Sequence, residues 1–166
     1  SEQASLLERQ GELLAGPLNN PSHLSAAFRT KFVKRVLSFY RPSKQLFSKL
    51  SRAPANARYL RVGVQMLEVL LTAETDEGVR ALEKLPFVPQ LTAVLAFTAE
   101  SLLVSPNEVL SSARSQPPKS VLKAAESMRR ENLMKTMCCE YFTMIGTLSS
   151  FPRGLELMRK LKIFDY

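Results

Sequence analysis

The chain has 166 residues, 45% hydrophobic and 23% charged, with a formal net charge of +8. That length supports one compact domain without a metal or disulfide staple. One histidine, His23, and two cysteines, Cys138 and Cys139, exclude the usual structural zinc sets, and no apolar run approaches the roughly 20 residues that cross a bilayer.

Helical patterning dominates: no Asn-Gly or Asp-Gly hairpin turn occurs, and β-branched residues do not alternate. A first helix is predicted over residues 3–14, closed by Gly16-Pro17. A second, over Ser25 to Tyr40, carries Leu24, Phe28, Phe32, Val36, Phe39 and Tyr40 at spacings of three and four, with Lys31, Lys34 and Arg41 opposite. Pro42 stops it, and Ser43 is expected to cap a short helix holding Leu46, Phe47 and Leu50. The stretch from Ala55 to Ala73 is apolar around much of its circumference and belongs inside a bundle. A short helix then ends before Pro86, and another runs from Val88 to Leu103. Residues 104–118 form a polar loop bracketed by prolines. A long helix is predicted from Ser120 to Leu148, interrupted near Asn132 or Gly146, and Pro152 starts a last one reaching Leu161. Gly63 and Gly146 are expected to let helices approach closely, and Gly78 and Gly154 to sit at hairpin turns. Tyr59, Tyr141, Phe142 and at least one cysteine are assigned to the core.

Charge is distributed unevenly. From Leu13 to Leu67 there is no Asp or Glu, yet ten of the 23 Lys and Arg fall there, leaving 13 against all 15 acidic residues. The candidate contact residues are Arg29, Lys31, Lys34, Arg35, Arg41, Lys44, Lys49 and Arg52, a basic patch suited to an acidic protein surface or anionic lipid. If the second helix docks its apolar stripe on the domain, its cations face outward. If the stripe is free, the helix could lie in a membrane interface or a partner groove. Nucleic acid is disfavoured, since no zinc finger, stacking sheet or clear helix-turn-helix is visible. No nucleophile–base pair, paired carboxylates, phosphate loop, metal set or cofactor motif can be nominated, so no enzyme activity is expected.

Gly78-Val79-Arg80-Ala81-Leu82-Glu83-Lys84-Leu85 and Gly154-Leu155-Glu156-Leu157-Met158-Arg159-Lys160-Leu161 share a pattern 76 residues apart, counted from Gly78 to Gly154. Each follows an apolar helix. The fold class read from this is all-α, with armadillo- or HEAT-like helical hairpins forming a fragment of a larger α-solenoid.

The run Glu140-Tyr141-Phe142-Thr143-Met144-Ile145-Gly146-Thr147-Leu148-Ser149-Ser150, then Gly154-Leu155-Glu156-Leu157-Met158 and Ile163-Phe164, resembles a segment of the Rictor family, which includes Pianissimo and fungal relatives. Arg58 to Val62, continuing through Leu70-Leu71 to Leu82, looks like the start of that segment, often called RasGEF-N-like. On this resemblance residues 56–166 form the RasGEF-N-like helical-repeat region and residues 1–55 a basic lead-in. The resemblance implies a non-catalytic scaffold of target of rapamycin complex two. Its implied partners are the kinase, the other subunits and the rest of its own chain. The alternative is a regulatory module binding a small GTPase or an anionic membrane. The apolar ending Ile163-Phe164-Asp165-Tyr166 suggests a piece of a longer protein. Two free thiols and no visible secretory leader suggest the cytoplasm, with peripheral attachment at the plasma membrane left open.

Overall fold

The computed structural model describes residues 31–103 and 119–162. The predicted helix at 3–14, His23, Arg29 and the 104–118 loop lie outside the described residues.

The described helices are α1 (Phe32–Tyr40), α2 (Ala57–Thr72), α3 (Glu77–Lys84), α4 (Phe87–Leu103), α5 (Lys119–Ser127), α6 (Arg130–Lys135), α7 (Glu140–Ser149) and α8 (Pro152–Lys160). Short 3-10 turns occupy Pro42–Lys44, Pro54–Asn56 and Met137–Cys139. Among the described residues the only β feature is an isolated antiparallel bridge between Ser51 and Thr136. The all-α fold class is thus what the chain adopts.

Proline and charge punctuate these helices. Arg41 is extended because Pro42 follows it, and this ends α1. α3 opens with Glu77 and closes with Lys84, while α8 opens with Pro152 and closes with Arg159 and Lys160, each matching the helix dipole or the first-turn preference for proline.

Several boundaries differ from expectation. α1 begins at Phe32, because Lys31 adopts a left-handed φ of 61°, which does not continue a helix. Ser43 caps nothing: Pro42–Lys44 is a 3-10 turn, and Leu46 to Lys49 continue as turns. The long helix predicted from Ser120 breaks at Met128-Arg129 and again at Thr136, whose extended backbone (φ −124°, ψ 170°) ends α6. The two breaks flank Asn132, each within four residues of it, whereas Gly146 lies inside α7. The Thr136 hydroxyl accepts from the Cys138 backbone N–H and so starts the next turn.

The main core joins α1, α2, α3, α7, α8 and the start of α4. α2 is buried on most of its circumference, with Ala57, Arg61, Glu68 and Thr72 left exposed along one stripe. α2 pairs with α3 and α7 with α8, and the pairs lie side by side, α2 against α7 and α3 against α8. The pattern repeated in sequence therefore corresponds to two adjacent helical hairpins.

Glycine explains how closely they seat. Gly78 and Gly154 lie inside the first turns of α3 and α8, not in the loops. A Cβ at Gly78 would collide with the carbonyl of Leu70, and one at Gly154 with the carbonyl of Leu148. Each hairpin thus closes on the last turns of its first helix. Gly63 serves the α2–α7 approach, since a Cβ there would lie 2.6 Å from Met144 Cε and 2.9 Å from Tyr40 Cε1. Gly146 does not: a Cβ there would meet nothing within 4 Å. A second, smaller cluster joins Val94 of α4 to Val121, Ala124 and Met128.

Candidate interaction surface

Reactive groups are buried without activation. Cys138 is fully buried and Cys139 half-buried, both as free thiols. Burial raises both thiol pKa values, so the nucleophilic thiolate is disfavoured. The Tyr40 hydroxyl donates to the Tyr59 carbonyl at 2.7 Å and the Tyr141 hydroxyl to the Tyr40 carbonyl at 2.9 Å. Desolvation pushes both phenols well above their ordinary range. These hydroxyls link α1, α2 and α7. Among the described residues no group of three or more His, Cys, Asp or Glu could hold a metal ion, and no helix is long and apolar enough to cross a membrane.

The surface between α3 and α8 neutralises itself. Lys160 Nζ lies 2.7 Å from Glu83 Oε1. Arg153 Nη1 donates to the Ala73 carbonyl at 2.5 Å, while Nη2 lies 3.4 Å from Asp76 Oδ1. The open groove there, about 290 Å³, is lined by Val79, Arg80, Glu156 and Leu157 as well as these partners. It is a seam between hairpins.

The basic segment is arranged differently. Val33, Val36, Leu37 and Tyr40 of α1 are buried in the main core. Each such side chain contributes roughly 1.5–3 kcal/mol of burial, so this side of α1 belongs to the protein interior and is not free to enter a membrane interface. Lys31, Lys34 and Arg35 are consequently exposed. Their position is costly, because cations in the first turn of α1 oppose the helix dipole and no acidic residue lies in that turn to offset them.

The remaining predicted residues divide. Lys44 is exposed in its 3-10 turn, and Lys49 is exposed beside a cavity of about 280 Å³ that Glu126 also lines. Arg41 is half-buried and does not share the α1 face: its Nε donates to Gln90 Oε1 at 3.1 Å. Arg52 is paired with Glu140 at 3.4 Å.

Two cations were not anticipated. α5 packs against the Pro42–Lys44 turn, and Gln45 Nε2 donates to the Lys123 carbonyl at 2.6 Å. Exposed Lys119 and Lys123 thereby join the same region of the molecule. Their separation in sequence left no local signal. Sequence reasoning also misplaced Phe142, which is 53% exposed on α7.

Comparison with known proteins follows the same residues. The family model described as "Rapamycin-insensitive companion of mTOR, middle domain" matches residues 119–166, from α5 onward. Protein pianissimo A of Dictyostelium discoideum is 41% identical over 155 residues, covering 93% of this chain and 13% of the relative. A target of rapamycin complex 2 subunit of Schizosaccharomyces pombe is 30% identical over 154 residues, covering 92% and 10%. The Homo sapiens protein named rapamycin-insensitive companion of mTOR is 31% identical over 158 residues, covering 93% and 8%. The chain thus spans about a tenth of these relatives' lengths, and the likeness extends into most of the first 55 residues as well as residues 56–166. No solved structure matches the chain.

Proposed function

The chain belongs to the Rictor/Pianissimo family, and from that premise we propose that it is a non-catalytic scaffold segment of a target of rapamycin complex two subunit. In this reading it supports assembly of the kinase complex in the cytoplasm. It contacts the kinase, other subunits and neighbouring parts of its own polypeptide, and performs no chemical step. In this reading the two hairpins are units of an armadillo- or HEAT-like array, in which neighbouring units cover one another's faces.

The observation that carries this reading is the pairing of α2–α3 with α7–α8 through glycine seats. The apolar surface goes into stacking, while burial disfavours the charged forms of the Tyr40 and Tyr141 phenols and the Cys138 thiol. The core also runs without interruption from α1 into α2. We therefore treat the described residues as one platform, with the described part of the basic lead-in, from Lys31, as one of its faces.

The test is co-purification of the target of rapamycin kinase with the longer protein carrying Gly78→Val and Gly154→Val. Loss of the kinase, with the rest of the polypeptide still folded by limited proteolysis, is the expected result. Undiminished co-purification would remove this segment from the scaffold.

A further inference from the structure

We propose that the exposed cations of α1, the Pro42–Lys44 turn and α5 form a docking face for an acidic segment of polypeptide. The proposal deepens the scaffold reading by assigning a surface and a class of partner.

Its first support is charge that the described residues do not neutralise. Lys31, Lys34, Arg35, Lys44 and Lys123 are exposed and make no ion pair among the described residues, whereas Arg52, Arg153 and Lys160 are paired. Lys44 and Lys123, far apart in sequence, are brought together by the packing of α5 on the 3-10 turn that follows α1. A cluster of one sign attracts a complementary chain and sets its register.

The second support is spacing. The Arg35 N–H donates to the Lys31 carbonyl at 3.0 Å, so the two residues sit one helical turn apart, about 5–6 Å along the axis. Same-side residues of an extended chain are about 6.6 Å apart. Alternate carboxylates of an acidic strand therefore match this row, and the Arg35 guanidinium can take one of them in a two-point, charge-assisted pair.

The third support separates polypeptide from membrane. The apolar residues of α1 are used in the core, so that helix has no apolar face to insert into lipid. The exposed apolar side chain within the face is Leu46, 43% exposed and flanked in sequence by Lys44 and Lys49. One isolated leucine suits an apolar residue within an acidic segment. Lipid bound by charge alone would gain only about 1 kcal/mol per cation.

The experiment is fluorescence anisotropy of a labelled oligoglutamate peptide titrated with the 166-residue chain across a range of salt. Lys31→Glu with Lys34→Glu and Arg35→Glu should weaken binding about tenfold or more. Arg80→Glu with Lys84→Glu and Arg159→Glu, an equal change in net charge on exposed positions of α3 and α8, should weaken it less than about twofold. Equal weakening by the two triple variants would reduce the effect to net charge and overturn the proposal. Lys44→Glu with Lys123→Glu should also weaken binding, and full retention would overturn the shared face. Absence of peptide binding, or binding only to phosphatidylserine-containing vesicles, would overturn it as well. Circular dichroism verifies that each variant is folded. Peptide binding together with undiminished kinase co-purification by the Gly78→Val, Gly154→Val protein sinks the scaffold reading alone, whereas loss of the kinase there without peptide binding sinks only this proposal.

Discussion

The seam between α3 and α8 and the face around α1 are both rich in charge, yet they use it in opposite ways. At the seam, Glu83 meets Lys160 and Asp76 meets Arg153, so the two hairpins lock on each other. Around α1, cations stand at the unfavourable end of a helix without acidic neighbours in that turn. Charge at the seam joins the two hairpins, while Lys34 and Arg35 oppose the dipole of the helix that carries them. A surface that costs some local stability and gains no ion pair among the described residues is suited to an external partner.

The largest expected effect comes from breaking the seam at its foundation. Gly154→Val places side-chain atoms against the Leu148 backbone, which cannot swing aside as a side chain could. A loss of about 3 kcal/mol or more is expected in urea unfolding, with a comparable loss for Gly78→Val. Unchanged midpoints for both would show that the hairpins do not close on these carbonyls.

Tyr141→Phe should cost about 1–2 kcal/mol by leaving the buried Tyr40 carbonyl without its donor. It should also alter the alkaline limb of the stability curve. Burial raises the folded pKa of Tyr40 and Tyr141 above the unfolded value near 10. Stability from this source is complete below about pH 10 and is lost as pH rises beyond it, by up to about 1.4 kcal/mol per pH unit for each tyrosine. Denaturant unfolding of the wild type from neutral pH to pH 11 should show that slope, and the Phe variant should show a shallower one.

Smaller effects sharpen the contrast. Arg153→Ala removes the 2.5 Å bond to the Ala73 carbonyl and the exposed pairing with Asp76, and should cost about 1 kcal/mol by thermal denaturation. Lys34→Glu should leave stability unchanged or raise it by a few tenths of a kcal/mol, because it places an acid in the first turn of α1. A destabilisation of that variant would mean that Lys34 supports the fold.

Much of the fold was legible because its signals are local. Pro42, Pro86 and Pro152 fix helix boundaries through missing N–H groups and restricted preceding residues. The matching runs at Gly78 and Gly154 mark the two hairpins because each needs the same close seat. What misled was tertiary. Thr136 breaks the predicted long helix where Arg52 N–H bonds the Lys135 carbonyl and Met137 N–H bonds the Leu50 carbonyl, partners more than 80 residues away in the chain. Gly146 and Phe142 carry the composition of a packed helix but lie on the exposed side of α7. The basic segment was visible as a run of unbalanced charge. Arg41 and Arg52 left it for Gln90 and Glu140, and Lys119 and Lys123 joined it, through contacts that periodicity does not encode.

Lysine-reactivity footprinting of the target of rapamycin complex containing the longer protein, compared with that protein alone, tests the contact account most directly. Lys31, Lys34, Lys44 and Lys123 should lose reactivity on assembly, while Lys84 at the end of α3 and Lys160 at the seam should keep theirs. Equal reactivity of the first group in both states, or protection confined to the seam, would contradict it.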